Sequence, residues 1–272
     1  MIDTIKQRAR LNSMEAKPTI SNLERQEQLL HFVTQNQRVT VAEISEHFSV
    51  SLATARRDLE SLVERGQVER FHGGAKAVRQ APPEAPVLQR EVEQGDEKKR
   101  IGQAAAALIS DGETIFLGSG TTVLEVARNL RHHRNLTVIT NSLLVVNTLV
   151  NLPEITVVCL GGLLRQSEMS MIGHITEQSL TQVHAQKIII GIRALDVEHG
   201  LTNDYLPETM TDRAILAHGG EVIIVADHTK CGRVSTAAVA PLPVINKLVT
   251  DAKAPSDFIE ALMANGIEVI RA

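Results

Sequence analysis

The chain has 272 residues, 43% of them hydrophobic and 22% charged, and a net charge of −4, a composition typical of globular proteins. Aromatic residues make up 2% and Trp is absent, which argues against a stacking platform for single-stranded nucleic acid. Cys159 and Cys231 form no CxxC pair, so we expect a reducing, cytoplasmic setting without disulfides, zinc or another cofactor. No apolar run reaches the ~18 residues of a membrane span. Residues 1–20 lack the apolar core of a secretion signal, and we expect a flexible N-terminal extension in which Met14 is an alternative start.

Three amphipathic patterns follow this extension. Capping boxes at residues 21–24 (Ser-Asn-Leu-Glu) and 40–43 (Thr-Val-Ala-Glu) predict the starts of two helices, the first over about 22–36. A third helix is predicted after the turn at Ser51, and a short extended segment with a tight His-Gly-Gly turn comes next. Three helices and a hairpin predict a winged helix-turn-helix domain over 21–78.

The third helix carries a surface suited to the DNA major groove. Its apolar residues fall on one face, and Ala53, Thr54 and Arg57 fall on the opposite face with Arg56 beside them. Arginine can bind a guanine edge with two hydrogen bonds, and Thr or Ala can contact a thymine methyl. The alternative is an ordinary solvated charged face. The predicted DNA-binding residues are Ser51, Ala53, Thr54, Arg56, Arg57, Arg70, His72 and Lys76.

The charge balance of this domain is informative. Residues 22–79 contain eight Lys or Arg and eight Asp or Glu. A domain without net charge attracts phosphates only if its basic residues lie together on one face. Because these residues are few, we expect one copy of the domain to bind DNA weakly. We therefore expect a homodimer or homotetramer on a repeated double-stranded operator.

Two stretches carry a resemblance to a known family. Residues 50–59 (Val-Ser-Leu-Ala-Thr-Ala-Arg-Arg-Asp-Leu) and 67–75 (Gln-Val-Glu-Arg-Phe-His-Gly-Gly-Ala) resemble the signature of DeoR-type bacterial transcription regulators, and the resemblance extends over roughly 22–272. It implies a winged helix-turn-helix joined to a sensor domain similar to sugar-phosphate isomerases. It further implies a non-enzymatic repressor of a sugar-metabolism operon, controlled by a phosphorylated sugar or related anionic metabolite.

Residues 79–95 contain Pro82, Pro83 and Pro86 and show no helical period. They predict a semi-rigid linker before an effector-binding and oligomerisation domain at 96–272. The charged run that opens this domain predicts a solvated first helical turn, although Lys98 matches a residue typical of the resembled family.

Short aliphatic runs alternate with helical patterns through the rest of the chain. This alternation predicts a Rossmann-like α/β domain with a largely parallel sheet covered on both faces. The predicted strands are 114–117, 136–140, 155–160, 187–192, 221–226, 247–250 and 268–270. The predicted helices are 96–110, 122–130, 142–150, 173–183, 207–218 and 256–265.

Polar and glycine residues follow four of these strands. Ligands of open α/β sheets bind beyond the carboxyl ends of the strands, and small residues before a helix allow its amides to approach an anion. We therefore predict a phosphosugar pocket there, and the resemblance implies the same stretches. The predicted effector-binding residues are Ser119, Gly120, Thr121, Thr122, Thr140, Asn141, Ser142, Gly161, Gly162, Arg165, Arg193, Asp227 and Lys230.

Each of these stretches also has a purely structural interpretation. Thr122 with Glu125 can form a capping box, and residues 140–142 can cap a helix. The glycine pair at 161–162 can be a turn, and Lys230 can be a solvated loop lysine.

The chain departs from the resembled family at three positions. Relatives often carry Asp where this chain has Gly118 and Gln186, and a small residue where it has Arg193. If these positions border the pocket, the effector is more anionic than a sugar monophosphate, such as a sugar-acid phosphate or a bisphosphate. The alternative is that Arg193 is a surface residue.

Two other function classes compete with this interpretation. A sugar-phosphate isomerase fused to a DNA-binding module would need a positioned carboxylate, and Asp227 is the one acid in the predicted pocket set. A pure scaffold would bind no small molecule. The adjacent pair His132 and His133 cannot share one helical face, so metal binding is not expected, and nothing indicates a redox role for Cys231.

Overall fold

The computed structural model describes residues 21–272, and the extension predicted for residues 1–20 lies outside this range. The chain divides into two compact units, one ending at Val78 and one beginning at Arg79. Of the helices in the described range, none combines the length and the apolar character needed to cross a membrane.

The N-terminal unit forms the predicted winged helix-turn-helix. Thr40 and Glu43 make a complete capping box, and Ser21 Oγ accepts a hydrogen bond from the Glu24 amide at 3.2 Å. The sheet is antiparallel with the order β1-β3-β2; β1 has three residues, too few for a sequence period. The elements are α1 (Asn22–Asn36), β1 (Arg38–Thr40), α2 (Val41–His47), α3 (Leu52–Glu64), β2 (Val68–Phe71) and β3 (Gly74–Ala77).

The core of this unit is aliphatic and lies between α1 and α3. Leu29 on α1 and Leu59 on α3 are almost completely buried. A buried ion pair joins the same two helices, because Asp58 accepts hydrogen bonds from Arg25 Nε at 2.7 Å and from Arg25 Nη2 at 3.1 Å. The apolar face of α3 therefore points inward as its sequence period predicts.

The C-terminal unit is built around a parallel sheet. The strands and α-helices of this unit are α4 (Val87–Arg90), α5 (Gly95–Ala106), β4 (Thr114–Leu117), α6 (Thr121–Arg128), β5 (Leu136–Thr140), α7 (Leu143–Leu149), β6 (Ile155–Cys159), β7 (Leu163–Arg165), β8 (Ser170–Ile172), α8 (His174–Leu180), β9 (Lys187–Ile190), β10 (Ala194–Asp196), β11 (Gly200–Asn203), α9 (Leu206–Ala217), β12 (Glu221–Val225), β13 (Ala237–Ala240), β14 (Lys247–Thr250), α10 (Ser256–Ala264) and β15 (Glu268–Arg271). Within the described residues the parallel sheet has seven strands in the order β15-β14-β12-β9-β4-β5-β6.

Both faces of the sheet are covered, as the continuous aliphatic strands predict. On β9, Ile188 and Ile190 belong to one apolar cluster and Ile189 belongs to the other. Successive side chains of a strand point to opposite faces, so the two clusters lie on the two sides of the sheet. The predicted Rossmann-like α/β class is confirmed.

Three features differ from the expectations. The hairpin β7–β8 and the antiparallel sheet β10–β11–β13 come from segments too short to show a period. Residues 79–95 pack on the C-terminal unit, where Gln80 bridges Val234 and the Val87 amide donates to Ser167 O at 2.7 Å. The segment is fixed to the C-terminal unit because Val87 and Arg90 are buried there. Helix α4 has four residues and follows three prolines, so the sequence shows no helical period for it.

Candidate functional site

The first two turns of α3 present the predicted DNA-contacting residues of this helix. Ser51 Oγ accepts a hydrogen bond from the Thr54 amide at 3.1 Å, which fixes the start of the helix. Ala53, Arg56 and Arg57 are exposed, and within residues 21–272 the two arginines make no ion pair. Their guanidinium groups therefore remain available to phosphates or base edges.

The wing residues are placed differently. His72 is exposed at the turn between β2 and β3. Arg70 lies 3.4 Å from Glu60, and Lys76 forms an ion pair with Glu69 at 2.8 Å. These surface pairs are weak and easily exchanged for phosphate contacts.

A cavity of about 320 Å³ lies in the C-terminal unit, beyond the carboxyl ends of β4, β9 and β12. The chain runs outward from β4 through β5 to β6, and then returns to β9 on the other side of β4 before continuing to β12. The cavity therefore lies at the point where the strand order reverses, which is where open α/β sheets bind ligands.

The loop after β4 brings a helix N-terminus to this cavity. Gly120 precedes α6 with a φ of 105°, a conformation that favours glycine. No side chain of the described chain caps this helix, and the first-turn amides lie where Ser119, Thr121 and Thr122 line the cavity. Uncapped amides and the helix dipole together favour an anion.

The predicted Thr122–Glu125 capping box is wrong. The helix begins two residues earlier than that box requires, at Thr121 with Gly120 as its N-cap. Glu125 instead accepts a hydrogen bond from Arg128.

Eight of the thirteen predicted effector residues line the cavity together, and five do not. The eight are Ser119, Gly120, Thr121, Thr122, Arg165, Arg193, Asp227 and Lys230. The five outside the lining are Thr140, Asn141, Ser142, Gly161 and Gly162.

The β7–β8 hairpin explains three of these absences. It folds over the end of β5, where Ser142 bridges Ser170 and the Asn141 side chain donates to Met171 O at 2.9 Å. Thr140 Oγ1 accepts a hydrogen bond from the Ser142 amide at 3.0 Å, and Ser142 caps α7. The Asn141 amide nitrogen and the Thr140 and Ser142 hydroxyls are thus engaged within the fold, whereas Asn141 Oδ1 is buried without a hydrogen-bond partner in the described chain.

The glycine pair after β6 has a packing role. Gly161 O accepts a hydrogen bond from Thr176 Oγ1 at 2.8 Å. A Cβ on Gly162 would lie 2.1 Å from Thr176 Oγ1. Because Thr176 belongs to α8, a larger residue at position 162 would push this helix away. The interpretation of this pair as a structural turn agrees with the geometry.

Eleven polar residues that line the cavity were not predicted from the sequence. Lys98 was expected in a solvated turn but is buried, and its Nζ donates to Arg90 O at 2.7 Å. Burial lowers the pKa of this lysine. The match of Lys98 to the resembled family was the available signal. The other missed polar lining residues are Glu84, Arg90, Glu93, Gln94, Glu168, Asn203, Asp204, Glu208, Asp212 and Thr229.

The described cavity lining contains five basic and seven acidic side chains, and most of them pair with each other. Arg90 pairs with Glu168, and Arg165 pairs with Glu208. Asp227 accepts a hydrogen bond from the Thr229 amide at 2.9 Å. Asp227 is thus not the one acid of this site, and the cations are largely neutralised by neighbouring carboxylates.

One end of the cavity holds carboxyl groups that resist ionisation. Burial, and then the charge of Glu208, raises the pKa of Asp212 to about 8. Burial likewise raises the pKa of Glu208 and of Glu168. Asn203 Nδ2 donates to Asp212 Oδ2 at 2.9 Å. At neutral pH Asp212 is therefore protonated and adds no negative charge to the cavity.

The three departures from the resembled family lie in different places. Arg193 is buried rather than at the surface, and its Nε is 3.1 Å from Asp204 Oδ2. Gln186 lies at the amino end of β9, where it accepts a hydrogen bond from the Thr114 amide at 2.7 Å. Gly118 packs against Ile190 and is not a lining residue. Of the three, only Arg193 adds charge to the cavity.

The cysteine and histidine side chains considered for redox or metal chemistry lie in surroundings that do not favour either. Burial raises the pKa of the Cys231 thiol to about 12, which leaves it unreactive at neutral pH. His133 Nε2 lies 3.1 Å from Ile109 O. Across the described part of the chain, no three His, Cys, Asp or Glu side chains are grouped as a metal ion requires.

Family models match both units. Residues 25–81 match the DeoR-like helix-turn-helix domain, and residues 93–252 match the DeoR C terminal sensor domain. The chain belongs to the DeoR family of transcription regulators.

Curated members of the DeoR family are similar over most of their length. The transcriptional repressor AccR of Agrobacterium fabrum is 35% identical over 85% of this chain and 90% of its own. The glycerol-3-phosphate regulon repressor of Escherichia coli is 34% identical over 89% of this chain and 95% of its own. A solved ribose 5-phosphate isomerase A from Methanocaldococcus jannaschii is 19% identical over 51% of this chain and 55% of its own, with a TM-score of 0.36.

Proposed function

We propose that this DeoR-family protein represses a sugar-metabolism operon and that a phosphorylated sugar or sugar acid bound in the cavity controls it. The single observation that carries the proposal is the uncapped N-terminus of α6, which opens into the cavity at the reversal point of the sheet. The repressor names of the curated relatives support the regulatory role.

The winged helix-turn-helix supplies the DNA contacts. In the proposal, α3 enters the major groove with Arg56 and Arg57, while His72 and Lys76 in the wing contact phosphates. Because the unit has balanced charge, we propose that two or four copies of the chain bind a repeated double-stranded operator together. Sedimentation of the protein with and without DNA measures the number of copies.

The effector phosphate is proposed to bind the amides at the start of α6, with Ser119 and Thr122 donating hydroxyl hydrogen bonds. Arg165, Arg193 and Lys230 then face the remainder of the ligand. Effector binding alters DNA affinity only if the two DNA-binding states of the protein bind the effector differently.

The first test is a thermal-shift screen of the full chain against phosphorylated sugars and sugar acids, with each unphosphorylated form beside it. We expect the melting temperature to rise only with phosphorylated compounds, because a ligand of the folded state stabilises it by mass action. The double variant Ser119→Ala with Thr122→Val should bind a compound identified in this screen about tenfold or more weakly than the wild type does.

Ser142→Ala is the matched control for that screen. It removes the cap of α7 outside the cavity, so the melting temperature falls while the effector Kd stays the same. If no phosphorylated compound raises the melting temperature while salt-sensitive DNA binding persists, the proposed control by a phosphorylated effector is wrong.

The carboxyl groups of the cavity make a sugar-phosphate isomerase the competing function. Asp212 keeps a proton at neutral pH and is in principle a general acid. We propose that these groups bind ligand hydroxyls, since Glu168, Glu208 and Asp212 are already tied to Arg90, Arg165 and Asn203. Turnover of any pentose or hexose phosphate by the full chain would favour the enzyme.

A further inference from the structure

The carboxylate of Glu84 lies among three cations in the cavity. Its Oε1 is 3.1 Å from Arg90 Nη1 and 3.2 Å from Arg193 Nη1, and it also accepts a hydrogen bond from Lys230 Nζ. Charge-assisted hydrogen bonds converging on one oxygen are typical of a bound anion. The protein thus holds one of its own carboxylates where a ligand anion would bind.

The Glu84 carboxyl group is ionised at neutral pH among these cations. Burial on its own would raise the pKa of this carboxyl, but Lys230, Arg90 and Arg193 together hold it below its ordinary value. The side chain is 19% exposed. Its negative charge offsets the positive charge of these three cations.

The segment that carries Glu84 is held weakly by its backbone. The Ala81 amide donates to Val234 O at 2.9 Å before it, and the Val87 amide donates to Ser167 O at 2.7 Å after it. Between these anchors, no backbone-to-backbone hydrogen bond of the described chain involves residues 82–85. Two of these four residues are prolines, which have no N–H to donate. Glu84 can therefore leave its cations without breaking a hydrogen bond of its own backbone.

The cations are short of acceptors without Glu84. Arg193 keeps Asp204 and Arg90 keeps Glu168, but Lys230 has no other ion pair within residues 21–272. Arg90 is 8% exposed, and its Nε has no hydrogen-bond partner even with Glu84 in place. The cluster therefore has donors ready for an incoming anion.

We propose that Glu84 stands in for a second anionic group of the effector and is displaced when that group binds. The ligand is a phosphorylated sugar acid, with its phosphate at the start of α6 and its carboxylate on Arg193 and Lys230. This inference rests on the proposed function. Glu84 follows Val78, the last residue of the N-terminal unit, by six residues, so its release changes the segment through which the DNA-binding unit is connected.

Calorimetric titration of the full chain with matched ligand pairs tests the proposal. The pairs are glucose 6-phosphate with 6-phosphogluconate, and glyceraldehyde 3-phosphate with 3-phosphoglycerate. At C1 each acid carries a carboxylate where its aldose phosphate carries an aldehyde, which in glucose 6-phosphate is closed into a hemiacetal ring. We expect the acid of the better-fitting pair to bind about tenfold more tightly than its aldose phosphate. Arg193→Ala should abolish this preference while the aldose phosphate still binds.

Glu84→Gln tests the displacement itself. If Glu84 occupies the cations about 90% of the time, removing its charge tightens binding of the acid by about tenfold. The aldose phosphate, which does not need the cluster, should change by less than about threefold. Glu93→Gln is the matched control, because it removes a carboxylate that lines the cavity but forms no ion pair in the described chain. It should change both Kd values by less than about threefold and leave the preference for the acid as in the wild type.

The outcomes separate this inference from the proposed function. Aldose phosphates that bind with no preference for the acid, or a folded Glu84→Gln variant with an unchanged Kd, would overturn the stand-in role alone. Absence of binding by every phosphorylated compound would overturn both. Circular dichroism identifies a variant that fails to fold. In that case the stand-in role of Glu84 is tested by the wild-type Kd of each acid against the Kd of its aldose phosphate.

Discussion

The two units of this protein expose their positive charge in opposite ways. On α3 of the N-terminal unit, Arg56 and Arg57 project into solvent without an ion pair in the described chain. In the cavity of the C-terminal unit, Arg165 and Arg193 are held against Glu208 and Asp204. An exposed, unpaired guanidinium suits a polyanion that arrives from outside, whereas a neutralised one must first exchange its internal partner for the ligand.

The largest effect that follows from this contrast concerns the exposed arginines. Arg56→Ala with Arg57→Ala should weaken DNA binding by about a thousandfold, since each base or phosphate contact contributes about 1–3 kcal/mol. Fluorescence anisotropy with a duplex selected from a random library measures the loss. Arg65→Ala, at the other end of the same helix, should bind DNA like the wild type. A comparable loss of affinity in this control would contradict the assignment of DNA binding to the first two turns of α3.

The buried ion pair of the N-terminal unit should matter for stability rather than recognition. Asp58→Ala leaves Arg25 without its carboxylate and should destabilise this unit by about 3 kcal/mol. Hydrogen exchange of the α1 and α3 amides reports the change. Glu60→Ala, which removes an exposed pair with Arg70, should cost less than about 1 kcal/mol; equal losses would show that the burial of Asp58 is unimportant.

Asp212 should make effector binding and stability depend on pH. Its pKa is raised from 3.8 to about 8 by burial and by Glu208, so the unfolded chain loses this proton at lower pH than the folded protein. The folded state therefore loses stability as pH rises from about 4 to about 8, and Asp212→Asn should remove that part of the loss.

Above pH 8 the ionised Asp212 adds negative charge to the cavity, and the affinity for an anionic effector should fall by about tenfold. Calorimetry at pH 7 and pH 9 in wild type and Asp212→Asn measures this difference. A fall of equal size in the variant would assign the titration to another group.

The smallest effect is expected at the cysteines. Cys159 is exposed, whereas Cys231 is 4% exposed and its thiol pKa is raised to about 12 by burial. A thiol reagent should label the folded protein at Cys159 alone and leave DNA and effector binding unchanged. Labelling of native Cys231 would indicate that the cavity region opens in solution.

The same contrast explains what the sequence could predict. The winged helix is local: its caps, apolar period and arginines lie within one stretch of chain, so helix bounds and exposed residues followed from spacing. The seven parallel strands were equally visible as aliphatic runs. The helices follow an apolar period because one face packs on a core, and the strands are continuous aliphatic runs because both faces of the sheet are covered.

The cavity is instead assembled from distant segments. Glu84 lies in a proline-rich stretch without a period, and Glu208 and Asp212 lie on a helix whose inward face is polar. Nothing in the spacing of Thr140 or Asn141 reveals that a three-residue hairpin strand covers the end of β5. Polar residues after a strand therefore indicate a binding site only where no later segment of the chain covers the end of that strand.

Control by an effector requires that ligand binding in the cavity and DNA binding by α3 are energetically coupled. The most direct measurement is DNA affinity of the full chain by anisotropy, at saturating phosphorylated ligand from the thermal screen and at the same concentration of its unphosphorylated form. The phosphorylated ligand should change the DNA Kd by about 5- to 150-fold, and DNA should change the ligand Kd by the same factor. A ligand that binds tightly in the cavity and leaves the DNA Kd unchanged would show that the cavity does not control DNA binding.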